Sequence, residues 1–144
     1  MTIRLLAIGK TDHKALQQLI AEYENRLKHY IKFELEIIPD IKNSKNLSEN
    51  QQKEKEGEQI LKRLNTTDVL VLLDEKGKQL SSIVFSEYLQ KKMNSGIKKL
   101  VFVIGGPYGF GKEVYQKAQG KISLSSMTFS HQMVRLFFIE QLYR

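Results

Sequence analysis

The chain has 144 residues, of which 41% are hydrophobic and 27% charged, and it contains no cysteine. This length predicts a single domain over residues 1–144 with a substantial core, and the absence of cysteine excludes disulfides, thiolate metal sites and cysteine nucleophiles. The apolar run within the first ten residues is too short for a signal peptide, and no run approaches the roughly 20 residues of a membrane span. We therefore expect a cytoplasmic protein.

The formal net charge of +7 is unevenly distributed along the chain. The segment from Lys98 to Arg144 holds seven Lys or Arg against two Glu, a net charge of +5, and the first 97 residues carry only +2. Such a concentration of positive charge predicts an anionic partner such as nucleic acid. A basic surface that serves only solubility is the alternative.

Strand-like and helix-like patterns alternate in the amino-terminal half of the chain. The predicted elements are a strand over 3–8, a helix from Thr11 or Asp12 to Leu27, a half-exposed strand over 33–38, a polar loop over 40–50, a charged helix over 49–64 and a buried strand over 69–73. His13 and His29 fall near the first helix, and we expect both to face solvent.

The same alternation continues to the carboxyl terminus. The predicted elements are a charged turn over 74–78, a helix from Ser81 or Ser82 to Met93, a strand over 98–104, a glycine-rich loop, a helix over 112–118, a short strand over 122–124 and a helix over 130–143. Strands that alternate with helices predict an α/β fold with a mostly parallel sheet flanked by helices. In such folds ligands bind at the carboxyl ends of the strands.

Three loops follow the most buried predicted strands, after Leu73, Ile104 and Leu124. If these strands are neighbours in the sheet, their loops form one pocket.

The loop after Ile104 has four glycines in seven residues, 105–111. Glycines at this density indicate positive φ angles or close contact with a ligand. The spacing from Gly106 to Lys112 matches a phosphate-binding Gly-x4-Gly-Lys loop, but Glu113 stands where Ser or Thr should bind magnesium, which argues against an NTPase.

The segment from Leu124 to Phe129 combines hydroxyl side chains with Met127 and Phe129. Main-chain hydrogen-bonding groups beside apolar surface suit an adenine ring. In the alternative interpretation, Thr128 or Ser130 only caps the last helix and the apolar pair lies in the core. The last helix is apolar on more than one face, which favours burial against a second copy over a central helix in a monomer.

Three motifs in order carry a family resemblance: Ile-Gly-Gly-Pro-Tyr-Gly at 104–109, Leu-Ser-x-Met-Thr-Phe-x-His-Gln-Met-x-Arg at 124–135 and Ile-Glu-Gln-Leu-Tyr-Arg at 139–144. The chain thereby resembles the RlmH family of small SPOUT methyltransferases. The likeness covers nearly its whole length, including 1–10, 23–27 and 55–58.

The resemblance implies a SPOUT fold with a trefoil knot in the carboxyl-terminal part, a homodimer, and S-adenosyl-L-methionine bound within the knot, with no metal. It also implies methylation of N3 of pseudouridine 1915 in 23S ribosomal RNA on assembled ribosomes. A SPOUT enzyme with another RNA target, and a ribosome-binding module without catalysis that stacks bases on Tyr108, Phe110 and Phe129, are the competing hypotheses.

Carried over by motif, the cofactor-binding residues are Leu73, Gly105, Leu124, Ser125, Ser126, Met127, Thr128 and Phe129. Because N3 of pseudouridine carries a proton near neutral pH, the reaction needs a proton acceptor. We assign His131 as that acceptor or as a substrate contact, and Arg135, one turn later, as a clamp for an anion or carbonyl. In the alternative, His131 is a helix-start residue bonded to backbone.

Family members continue beyond the last motif into a short tail with an aromatic residue and histidine, and this sequence has no residues after Arg144. Since that tail helps to shape the substrate site in the family, we expect its absence to affect full activity more than cofactor binding.

Overall fold

A computed structural model describes residues 1–41 and 44–144. Its strands are β1 (Thr2–Ile8), β2 (Lys32–Ile38), β3 (Val69–Gln79), β4 (Lys99–Ile104) and β5 (Gly120–Ser123). Its helices are α1 (Lys14–Leu27), α2 (Glu49–Lys62), α3 (Ser82–Asn94), α4 (Lys112–Lys117) and α5 (His131–Tyr143), with a short 3-10 helix at Ser44–Asn46. Residues 42 and 43 of the predicted polar loop lie outside the described residues. The predicted alternation of strand and helix is confirmed.

The strands form one sheet in the order β2-β1-β4-β3-β5, and every neighbouring pair is parallel. The sheet has the predicted parallel character, and β3 lies between β4 and β5. The three strands whose ends were expected to form a pocket are therefore adjacent.

Alternate residues of the central strands point into two cores, as the pleat of a strand requires. Leu100, Phe102 and Ile104 of β4 pack with α1, α3 and α5 on one face, and Val101 and Val103 pack with α2 and α4 on the other. The molecule thus has three layers with the sheet in the middle, an arrangement consistent with the SPOUT fold. The trefoil knot stays a prediction of the family resemblance.

Hydrogen-bonding side chains begin four of the helices. Ser48 of the α2 capping box accepts a bond from the Gln51 amide at 3.1 Å, and Ser81 and Ser130 cap α3 and α5 in the same way. The first helix starts later than predicted, because His13 and not Thr11 or Asp12 caps it, with Nδ1 accepting from the Ala15 amide at 3.3 Å. His13 and His29 are both exposed, as expected.

The prediction of a charged turn over 74–78 is wrong. These residues continue β3, which shifts its register against β5 between Leu73 and Lys78. The sequence signal misled because charged residues and a glycine usually mark a turn. Here Gly77 instead allows close approach, since a Cβ on it would lie 2.6 Å from the Ile122 amide nitrogen.

Candidate functional site

A cavity of about 420 Å³ opens at the carboxyl ends of β4 and β5, beside the middle of β3. Its volume falls in the range of small-molecule sites, roughly 300–1,000 Å³. The wall includes Ile104 and Ser123 at the ends of β4 and β5, together with Leu73 in the middle of β3, where its register against β5 shifts. The pocket expected from the order of elements is therefore present.

Most of the residues assigned to the cofactor from sequence lie on this wall. They are Leu73, Gly105, Leu124, Ser125, Met127, Thr128 and Phe129. Ser126 is exposed on the same loop but does not line the cavity. Residues as far apart in the sequence as Leu73 and Phe129 thus meet at one site.

The glycine-rich loop owes its composition more to packing than to unusual backbone angles. Of its four glycines only Gly109 has a positive φ, +83°. A Cβ on Gly105 would lie 3.0 Å from the ring of Phe110, and one on Gly106 would lie 2.5 Å from the carboxylate of Glu56. Positive φ therefore accounts for one glycine and crowding by neighbouring side chains for two.

Glu56, on α2, is a buried carboxyl group that the sequence did not single out. It is 3% exposed, and its Oε2 accepts a 3.2 Å bond from Gln52, while Oε1 has no partner among the described residues. Burial raises the pKa of the Glu56 carboxyl, and the nearby Asp40 adds to that rise. The carboxyl group lies directly behind Gly106 of the glycine-rich loop.

The loop after β5 is held by its own serines. Ser123 Oγ donates to the Ser125 carbonyl, and Ser125 Oγ accepts from the Met127 amide, both at 2.9 Å. Met127 is 72% and Phe129 40% exposed, so neither belongs to the core, contrary to the alternative interpretation of this segment. Apolar surface therefore remains available beside main-chain polar groups, the combination that suits adenine.

His131 lies on the cavity wall at the first position of α5. Ser130, and not Thr128, caps this helix: its hydroxyl accepts a hydrogen bond from the Met133 amide at 3.2 Å. This cap makes His131 the first residue of α5. Partial desolvation, together with the positive charge of Arg135, lowers the pKa of His131. The imidazole is thus neutral at neutral pH and able to accept a proton.

Arg135, which was expected to clamp an anion or carbonyl of the substrate, does not line the cavity, and its partners are groups of the protein itself. Its side chain is 1% exposed and donates to the Thr11 hydroxyl and the Ile8 carbonyl, both at 2.8 Å. Desolvation lowers the pKa of its guanidinium. The helical spacing correctly placed Arg135 one turn from His131, but α5 packs on α1, and that side of the helix meets the end of β1.

Tyr115 and Asp74, two residues on the cavity wall, were also not singled out from the sequence. Tyr115, on α4, donates from its hydroxyl to Asp74 Oδ2 at 2.6 Å, and both residues line the cavity. Tyr115 carried no sequence signal, and Asp74 was assigned to a charged turn. Only the packing of α4 beside the middle of β3 brings Tyr115 and Asp74 together.

Charged groups at the cavity have both signs. Lys53 and Lys76 contribute positive charge and Asp74 and Glu75 negative charge. Within residues 1–41 and 44–144, no group of three or more His, Asp or Glu side chains could hold a metal ion. Over the same described ranges, no helix has the length and apolar character required to cross a membrane.

Phe110 is the one aromatic residue of the proposed base-stacking set that is buried. It is 6% exposed and packs between the glycine loop and α4, whereas Tyr108 is 43% exposed. Phe110 therefore cannot stack on a base in this conformation, which weakens the interpretation of the three aromatics as an RNA platform.

Comparison with known proteins adds independent evidence. A family model described as "Predicted SPOUT methyltransferase" matches residues 1–144. The chain is similar to proteins named Ribosomal RNA large subunit methyltransferase H from Flavobacterium johnsoniae, 74% identical, Flavobacterium psychrophilum, 73% identical, and Parabacteroides distasonis, 66% identical. Each match covers 100% of this chain and 92% of the relative.

Proposed function

The chain belongs to the SPOUT methyltransferase family, and we propose that it transfers a methyl group from S-adenosyl-L-methionine to N3 of pseudouridine 1915 in 23S ribosomal RNA. Relatives whose name states that they methylate large-subunit ribosomal RNA match its entire length at 66–74% identity. The observation that carries the proposal is the cavity where three adjacent strands meet, lined by most of the residues that the family motifs assign to the cofactor.

The cavity fits the chemical parts of this cofactor. Leu73, Met127 and Phe129 offer apolar surface to the faces of an adenine ring, and the loop backbone offers hydrogen-bonding groups to its edge. Gly105 lies on the cavity wall at the end of β4, where its lack of a side chain lets the Phe110 ring pack against it. When bound, S-adenosyl-L-methionine supplies an electrophilic methyl group on a positively charged sulfur.

Within this proposal, the chain contributes orientation and proton transfer. The cavity would hold the methyl donor beside the target base, which would lower the entropic cost of methyl transfer. His131, neutral because its pKa is lowered, accepts the N3 proton of the base as N3 attacks the methyl group.

The basic charge of the chain supports an RNA substrate. Lys53 and Lys76 lie at the cavity, where they are suited to contact phosphates that flank the target base. Since this RNA belongs to the ribosome, we propose that the protein acts in the cytoplasm. Residues 1–144, which the family model matches, would act as one methyltransferase domain.

A homodimer is part of the proposal and is supported by α5. One side of this helix is buried in the core through Phe138, Ile139 and Leu142, yet Phe137 and Tyr143 are each 37% exposed. Large apolar side chains on the outer side of a helix favour burial against a second copy.

The direct test is incubation of ribosomes lacking this modification with the protein and S-adenosyl-L-methionine, followed by mass mapping of the 23S RNA. We expect the mass of the fragment that contains pseudouridine 1915 to rise by about 14 Da, the mass of one added methylene. Methylation at another nucleotide would identify a SPOUT enzyme with a different target. Ribosome binding without methylation or cofactor binding would identify a non-catalytic module.

A further inference from the structure

Asp74 and Glu75 are the two acidic residues on the described cavity wall, and they differ in how firmly they are held. Glu75 is exposed. Asp74 is partly buried at the end of the β3 segment that faces the cavity, and its Oδ2 accepts a 2.6 Å bond from the Tyr115 hydroxyl. Asp74 is therefore a carboxylate of fixed orientation at the site.

The bond from Tyr115 leaves most of the acceptor capacity of Asp74 free. A carboxylate has about four lone-pair positions, and one phenol occupies one of them. Desolvation and the bond to Asp74 raise the pKa of Tyr115, so the phenol remains a donor at neutral pH. The remaining lone-pair positions of Asp74 can therefore accept hydrogen bonds from, or attract, a ligand in the cavity.

A cationic ligand needs such an anion here. The chain carries a net charge of +7, and Lys53 and Lys76 bring positive charge to the same wall. A further cation, Lys121, lies 5.4 Å from the centre of the Tyr115 ring. Without a fixed carboxylate, this surrounding charge would repel a positively charged ligand.

We propose that Asp74, oriented by Tyr115, recognises the sulfonium charge of S-adenosyl-L-methionine and makes the site discriminate between the methyl donor and its demethylated product. This inference rests on the proposed function. Methyl transfer breaks the bond between sulfur and the methyl carbon and leaves the electron pair on sulfur, while N3 gains the methyl group and its proton passes to His131. The product sulfur is neutral, so the attraction of Asp74 acts on the donor alone and favours exchange of product for fresh donor.

Calorimetric titration with S-adenosylmethionine and, separately, S-adenosylhomocysteine tests this inference without requiring turnover. For Asp74→Asn we expect donor affinity to fall by about tenfold, the scale of one charge-assisted contact, and product affinity to change by less than about twofold. Unchanged binding of the product also shows that the variant is folded. For Tyr115→Phe, which keeps the charge but frees its orientation, we expect the ratio of the two affinities to fall by about threefold.

Glu75→Gln is the matched control, because it removes the same charge from the adjacent, exposed residue. We expect both affinities to stay within about twofold of the wild type, since exposed charges are screened. Equal weakening of donor and product in Asp74→Asn would overturn the inference and assign Asp74 to a shared group such as the ribose. A wild-type chain that binds neither nucleoside would overturn the proposed function as well.

Discussion

At the scale of single residues, Gly77 is a glycine whose added side chain would collide with backbone atoms. A Cβ there would lie 2.6 Å from the Ile122 nitrogen and 2.7 Å from the Lys121 carbonyl carbon, and backbone atoms cannot rotate away. We predict that Gly77→Ala lowers the free energy of unfolding by about 1–3 kcal/mol, the usual cost of overpacking. Urea denaturation measures this change.

Gly120→Ala is the control for this substitution. Its Cβ would lie 3.9 Å from the nearest atom of Val71, an ordinary contact, and we expect a change within about 0.5 kcal/mol. Equal losses of stability in the two variants would show that the close approach of β3 and β5 at Gly77 does not cause the destabilisation.

The protonation of His131 should govern the acid limb of the pH profile. Because its pKa lies below the usual value of 6.5, the imidazole stays neutral at pH 7 and is protonated only as the pH falls further. We predict that the rate of methyl transfer falls below that pKa and that His131→Asn removes this limb while lowering the rate by about 10²–10⁴-fold.

Single-turnover assays across pH values measure both effects, with cofactor binding as the control. An unchanged rate in His131→Asn would exclude the imidazole as the proton acceptor and leave it as the start of α5.

At the scale of elements, Arg135 joins the last helix to the first strand. Its two 2.8 Å bonds to Ile8 and Thr11 cross 127 and 124 residues of sequence. Arg135→Lys keeps the charge, but its compact ammonium cannot reproduce the planar fork, so one buried acceptor loses its partner. We predict a loss of about 1–3 kcal/mol in the free energy of unfolding, measured by urea denaturation.

Arg26→Lys provides the comparison, since Arg26 is an exposed arginine paired with Glu22 on α1. We expect a change of less than about 0.5 kcal/mol there. If Arg135→Lys left stability intact and weakened RNA binding instead, the clamp expected from sequence would be the correct role.

At the scale of the whole molecule, the outer side of α5 should determine the oligomeric state. We predict that the wild type sediments at twice its chain mass of 16.7 kDa and that Phe137→Glu sediments at 16.7 kDa. An unpaired charge in an apolar interface costs several kcal/mol, at least about 2. Sedimentation equilibrium separates the two states.

Met93→Glu tests whether any new surface charge has this effect. Met93 is 38% exposed near the end of α3, close to the 37% exposure of Phe137. We expect this variant to remain a dimer, and dissociation of both variants would place the interface elsewhere or show a general effect of charge.

The sequence by itself determined the alternation of strands and helices, the parallel sheet and the three strands that meet at the cavity. Each depends on local patterns, such as the apolar run of β4 and the serine caps of α3 and α5. Such patterns are set by residues that lie close together in the sequence. The order of motifs likewise singled out the loop from Leu124 to Phe129, most of which lines the cavity.

Only the tertiary structure decided which distant residues meet. The bond from Tyr115 to Asp74, the burial of Glu56 behind Gly106 and the turn of Arg135 toward Ile8 each join residues at least 41 positions apart. Even β3 runs past its predicted end, because pairing with β5 outweighs the local preference of residues 74–78 for a turn. Such contacts depend on how layers pack, and local sequence preferences do not encode that packing.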